Sequence, residues 1–312
     1  MGPALVAWLG DGAARRRTQA TVSAFARSWA RDTPLPALAR ALAGLDTPAA
    51  ESVAALVRPL LEDDGWARAI VARLIAEVAR DPFFEPPLVA LHSDVQAGLV
   101  LYAGPHAVIA LGTGALDRLA AKKRVRIDGS IAFPGHVSLI RVIASGGATL
   151  SLWEGGWRDG TLLGHCRPAG RRRIVDGEVL EMDGRTTSFL VDHARADMVL
   201  LHATILADAA PTACEYDRAT LRLTATGAAT ERASRTQLLT TLLAALDRPD
   251  AAALDAATRA REPFVRWHAM REWLALDADA ALGRLDAIAD ADPDPELRAL
   301  ARRARALIPC PA

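Results

Sequence analysis

Between residues 124 and 205 the helical spacing of apolar residues that prevails elsewhere in the chain gives way to short alternating runs punctuated by glycine, which is the pattern of sheet. Residues 136–143 and 148–153 are two such runs, rich in β-branched side chains and separated by Ala144-Ser-Gly-Gly147, the composition of a hairpin. Residues 178–182 lead through Asp183-Gly184 into residues 186–191, and residues 198–205 follow a polar break at 192–197. Upstream, residues 99–102 and 107–111, joined by Ala103-Gly-Pro-His106, form another hairpin, while 116–123 reads as either a short helix or a loop. Downstream, Cys214-Glu-Tyr-Asp217 reads as a turn and residues 219–224 as a last strand. Many short strands at this spacing predict an antiparallel β-sandwich or small barrel.

Both flanks are helical, so the fold class is α+β. In residues 66–80, Trp66, Ile70, Leu74 and Val78 fall four apart, with Val71 and Ile75 widening the same face. Val22, Phe25, Ala26 and Trp29 make a similar face, and Thr47-Pro48 has the form of a helix start. Three prolines in residues 81–87 end this region. After the β region, Ser234-Arg-Thr-Gln237 has the form of a capping box opening a helix with Leu238, Leu239, Leu242, Leu243 and Leu246. Pro263, Asp277 and Asp292-Pro-Asp-Pro295 then mark three successive helix starts. The expected organisation is helical over 1–87, β over 88–227 and helical over 228–312.

With 312 residues, 51% of them hydrophobic, the chain has enough apolar side chains for substantial cores. Its 37 basic residues balance 37 acidic ones, so no global field favours nucleic acid or an anionic membrane. Lys122 and Lys123 are the only lysines; positive charge is otherwise arginine, and Arg15 to Arg17 and Arg171 to Arg173 read as solvated faces or loops. Cys166, Cys214 and Cys310 form no Cys-x-x-Cys pair, which argues against a disulfide framework or a cysteine zinc site and favours a reducing compartment. No run approaches the roughly 20 apolar residues needed to cross a bilayer. A cytoplasmic protein is the resulting expectation.

The strand pattern over residues 125–206 resembles the cupin family of small β-barrels. That resemblance implies two glycine-strand signatures whose histidines and glutamate point inward and hold a divalent metal. With Gly147 at the first glycine, Trp153 and Gly155 stand where the two histidines belong. Gly177-Glu-Val-Leu-Glu-Met-Asp-Gly184 resembles the second signature, with Thr186 and Thr187 near the position of its histidine. The resemblance therefore implies a barrel without the family's metal site. An alternative ligand set for a divalent transition metal is His92 and Asp94 at i, i+2, completed by His136, His165, His193 or His202. The segment Arg266-Trp-His-Ala-Met-Arg-Glu-Trp-Leu-Ala-Leu276, with Asp292-Pro-Asp-Pro-Glu-Leu-Arg-Ala-Leu300, resembles HEAT-type helical repeats over about one and a half repeats.

Gly164-His-Cys-Arg-Pro168 sets a thiol beside an imidazole, but neighbours along a strand face opposite ways, and an exposed loop is the simpler reading. No Gly-x-Ser-x-Gly, phosphate-cradling or dinucleotide-binding glycine motif occurs. Trp153-Glu-Gly-Gly-Trp157 remains: its two indoles, with Glu154 and Arg141, either line a barrel mouth as a binding site or pack in a core. The functional expectation is a non-catalytic binding or interaction protein, with a small molecule in the barrel and a protein or peptide on the C-terminal helices. A metal-dependent oxygenase or isomerase, or an accessory subunit of a separate enzyme, is the alternative.

Overall fold

The computed structural model describes residues 2–92, 96–115 and 129–308. The segment 116–123, Asp94 and Cys310 lie outside the described residues. The chain forms two compact units, residues 1–210 with 214–225, and residues 211–213 with 226–312.

The first unit begins with five helices, α1 (Pro3–Gly10), α2 (Gly12–Asp32), α3 (Leu35–Ala43), α4 (Ala50–Glu62) and α5 (Gly65–Arg80). On α4, Val53, Val57 and Leu61 recur every fourth residue and are fully buried, so one stripe meets the sheet. Each such side chain contributes about 1.5–3 kcal/mol of burial. Thr47-Pro48 does not start this helix. Thr47 takes a positive φ of 43°, and the first helical residue is Ala50. The expected α5 stripe is narrower than its spacing suggests: Ile70 and Leu74 are buried, but Ile75 and Val78 are exposed.

Strands β1 (Val89–His92), β2 (Gln96–Ala103), β3 (Ala107–Gly114), β5 (Val137–Ala144), β10 (Val179–Asp183) and β12 (Met198–Ile205) build a six-stranded sheet in the order β1-β2-β3-β12-β5-β10. Its pairings are antiparallel throughout. Side chains alternate across a strand, which gives the sheet two distinct faces. Val137 and Leu139 on β5 with Leu201, Ala203 and Ile205 on β12 join α3 and α4 in one core. Ile140, Val142, Met198 and Leu200 point the other way, toward Leu150 and Leu152 of β6 (Thr149–Glu154) and Phe189 and Val191 of β11 (Thr187–His193). β6 lies between β11 and β9 (Arg167–Arg173) in a three-stranded sheet. The architecture is thus α+β with an antiparallel β-sandwich, as the alternating runs predict.

A third sheet holds β4 (Ser130–Phe133), β13 (Ala213–Asp217) and β14 (Leu223–Gly227). The segment expected as a turn belongs to this sheet. Cys214 to Asp217 is a strand paired with β4, because Cys214 and Tyr216 alternate into a core with Ile131 and Phe133. The turn comes next, where Asp217 accepts from the Thr220 amide at 2.6 Å, so the last strand starts at Leu223 instead of Ala219. Cys166, expected in an exposed loop, belongs to the same core. The Gly-Gly of Trp153-Glu-Gly-Gly-Trp157 fits this packing closely. Gly156 has φ +69°, and a Cβ there would lie 2.2 Å from the Arg185 carbonyl oxygen. A short hairpin, β7 (Trp157–Arg158) with β8 (Thr161–Leu162), follows.

The second unit holds α6 (Glu231–Ala245), α7 (Ala251–Ala257), α8 (Pro263–Leu276), α9 (Ala278–Ala291) and α10 (Pro295–Leu307). Asp277 caps α9 through the Ala280 amide, and Asp294 caps α10 through Glu296 and Leu297. The α6 cap is Thr230, four residues before the expected Ser234, which lies inside the helix and exposed. Leu238, Leu239, Leu242 and Leu246 are exposed as well; among the five leucines only Leu243 packs on the core of this unit. No helix among the described residues is long and apolar enough to cross a membrane.

Candidate functional site

Between the six-stranded sheet and the strands facing it lies a cavity of about 460 Å³. Its walls are apolar: Ile140, Val142, Leu180 and Leu200 on one side, Leu150 and Phe189 on the other. These positions follow from period-two alternation, since the opposite parity on the same strands is used up against α3 and α4. Polar groups gather at Ser130, Glu215 and Arg218. Arg218 lies 3.9 Å from Asp192, whose other carboxylate oxygen is 3.2 Å from Arg171 and accepts the Ser151 hydroxyl. An apolar chamber with a few polar groups is the usual form of a small-molecule site.

His202 lies on the same face of the sheet, beyond the residues that line the cavity. It follows Met198 and Leu200 at period two on β12, and pairs across the strands with Ile140, itself paired with Leu180. Burial, and secondarily nearby His136, push its pKa down to about 4, so the imidazole is neutral at pH 7. Its Nε2 is buried without a hydrogen-bond partner.

The residues singled out in the sequence are not assembled into one site. Trp153 is 9% exposed and packs with Ile131, Phe133 and Tyr216 rather than lining a mouth. Glu154 is held by Arg167 at 3.0 Å and Arg158 at 3.9 Å. Trp157 is half-buried at the start of β7, its amide bonded to the Arg185 carbonyl at 2.7 Å. Arg141 is on the helix-facing side of the sheet, 3.2 Å from Asp64, and also donates to the Gly177 carbonyl. Its expected partnership with the two indoles fails because β5 turns odd-numbered side chains away from the cavity.

The alternative metal ligands separate in a similar way. His92 is exposed at the end of edge strand β1, His193 is exposed at the end of β11, and His165 is exposed and bridges to Arg222. Among the described candidates, His136 lies near enough to His202 to lower its pKa. Among the described residues no group of three or more His, Cys, Asp or Glu side chains is placed to hold a metal ion. Arg218 and Glu215 escaped the sequence reading because their segment reads as a turn; the alternation of Cys214 and Tyr216 was the available signal.

No known protein family and no curated protein matches this sequence. Solved structures similar to it include Fe(II)-HppE with an alternative substrate, at 12% identity over 38% of this chain and 56% of that one, TM-score 0.26. A sugar phosphate isomerase of the cupin superfamily from Silicibacter pomeroyi matches at 12% identity over 40% and 67%, TM-score 0.24. A cupin domain from Bordetella pertussis matches at 8% identity over 37% and 97%, TM-score 0.23. The latter two are cupin superfamily proteins. The fold class follows from the sheets and helices themselves.

Proposed function

We propose that the protein is a binding protein whose β-sandwich cavity takes a small, largely apolar molecule. The observation that carries this reading is the 460 Å³ chamber walled by Ile140, Val142, Leu150, Leu180, Phe189 and Leu200. Burial in such a chamber supplies affinity through the apolar area removed from water. Naphthalene is a suitable probe, because its fluorescence reports transfer from water to an apolar site. Saturable binding is expected, together with its loss in Leu200→Trp, which fills the chamber while the melting temperature is kept. Unsaturable partitioning, or equal binding by Leu200→Trp, sinks the reading. The exposed leucines of α6 support a second surface on the C-terminal helices for a protein or peptide partner.

A metal-dependent activity is the second reading, favoured by one observation: His136 lies near enough to His202 to lower its pKa. Metal analysis of protein purified without chelator tests it. Stoichiometric iron, manganese, nickel or zinc, lost in His202→Phe, is the outcome it requires.

A further inference from the structure

We infer that a second small-molecule site lies where α1 and α2 meet the segment leading into β1, and that it takes an aromatic carboxylate, with Trp8 and Phe83 receiving the ring and Arg15 and Arg16 the carboxylate. The site is separate from the sandwich cavity and does not rest on the reading given for it.

A cavity of about 920 Å³ opens there, bordered by both rings and both arginines, with Val22 and Leu88 adding apolar wall. That volume suits a small organic ligand. After α5 the chain turns so that Phe84 enters the core beside Phe25, Ile70 and Leu74, while Phe83 meets Trp8 instead. The two rings stack with centroids 5.0 Å apart and planes 25° from parallel, and both are half-buried. Hydrogen bonds fix the pair in place. Trp8 Nε1 donates to the buried Thr18 hydroxyl at 3.2 Å, Thr18 donates to one Asp81 oxygen, and the other Asp81 oxygen accepts the Phe83 amide at 2.9 Å. An aromatic surface held in this way is set before a ligand arrives, which lowers the cost of binding.

Arg15 and Arg16 supply the charge. A side-chain carbon on Gly12 would stand 3.6 Å from Arg16 Nη1 and 3.9 Å from Arg15 Nη2, so both guanidinium groups gather near one point of the cavity wall. Asp11 does not neutralise them: its carboxylate accepts the Ala13 and Ala14 amides, its ion pair at 4.0 Å is with Arg17, and Arg15 acts on it as a weaker, more distant charge. Two cations drawn together repel, and an anion between them relieves the repulsion. Glu85 borders the same cavity, which leaves the ionisable side chains of its wall with one net positive charge. That balance favours a monoanion over a polyphosphate, and the planar fork of a guanidinium matches a carboxylate. The stacked rings select a flat aromatic body to carry it. Both arginines are otherwise exposed, so solvent moderates the gain.

Calorimetric titration of the full chain with naphthoate, naphthylmethylamine and cyclohexanecarboxylate tests the assignment, since the second probe reverses the charge and the third removes the aromatic ring. Naphthoate is expected to bind about tenfold more tightly than either of the others. The double variant Arg15→Gln with Arg16→Gln, altered at exposed positions, should keep its melting temperature and lose the preference for naphthoate over the amine. Trp8→Leu should lose the preference for naphthoate over cyclohexanecarboxylate. Leu200→Trp, which fills the sandwich chamber, should bind naphthoate as the unaltered protein does. No binding of naphthoate, equal binding of either comparison compound, or a charge preference that survives in the arginine variant overturns the inference and leaves the sandwich reading standing. Loss of naphthoate binding in Leu200→Trp places the acid in the sandwich and overturns it as well.

Discussion

Arg266 and Asp292 meet through two parallel hydrogen bonds, Nε to Oδ2 at 2.9 Å and Nη2 to Oδ1 at 2.7 Å, with side chains only 8% and 3% exposed. The pair joins α8 to the turn before α10, and Arg266 Nη1 also donates to the Ala260 and Arg261 carbonyls. Burial works against ionisation of Asp292, but the Arg266 guanidinium and the Asp294 amide outweigh it and hold its pKa below the usual carboxylate range. Asp292→Ala would strand a buried guanidinium and should destabilise by about 3–5 kcal/mol. The double variant Arg266→Met with Asp292→Leu should lose less. Urea denaturation of the three proteins decides this, and a double variant as unstable as the single one would count against it.

Tyr216 is fully buried, and its hydroxyl serves two strand-end groups, donating to the Leu163 carbonyl at 2.6 Å and accepting from the Gly156 amide at 3.0 Å. Tyr216→Phe keeps the ring against Phe133 but leaves both groups unpaired. A loss of about 1–3 kcal/mol is expected. Burial pushes the Tyr216 pKa up to about 12, so a spectrophotometric titration should show one tyrosine failing to ionise until well above its usual pH.

Trp153 and Trp157 should part company on truncation. Trp153→Ala empties the core around Ile131 and Phe133 and should cost about 3–5 kcal/mol, whereas Trp157→Ala, at a half-buried site, should cost clearly less. Trp153→Phe should be milder again, since the indole Nε1 it removes is buried without a partner. Equal melting temperatures for the Trp153→Ala and unaltered proteins would show that the ring is not packed as described.

His202 should make stability fall with acid. Its pKa is 6.5 unperturbed and about 4 in the fold, so between those values the unfolded chain binds a proton that the folded protein refuses. Stability is full above pH 6.5 and declines as pH falls toward 4, at about 1.4 kcal/mol per pH unit. His202→Phe should therefore lose about 2 kcal/mol less than the unaltered protein between pH 7 and pH 5. Parallel urea titrations at the two pH values measure this difference.

Much of the secondary structure was readable because its determinants are local. The runs at 136–143 and 198–205 alternate as half-buried strands do, and Pro263, Asp277 and Pro295 mark helix starts by backbone chemistry alone. Misreadings arose where two local readings were both sound. Ser234 and Thr230 are each competent caps, and the helix begins at the earlier one, which buries Ala233. Cys214 to Asp217 has the polar residues of a turn, but Tyr216 gains more from burial beside Phe133 than a turn would allow.

Local periodicity was enough to show that the middle of the chain alternates and the ends are helical, and which side chains share a face of β5 and β12, because that spacing belongs to the backbone. Tertiary structure alone decided which face meets α3 and α4 and which encloses the cavity. That choice placed His202 inside, sent Arg141 to Asp64, and turned Trp153 into core. It depends on β12 pairing with both β3 and β5, contacts between residues up to about a hundred positions apart, and a local pattern carries no information about partners at that distance.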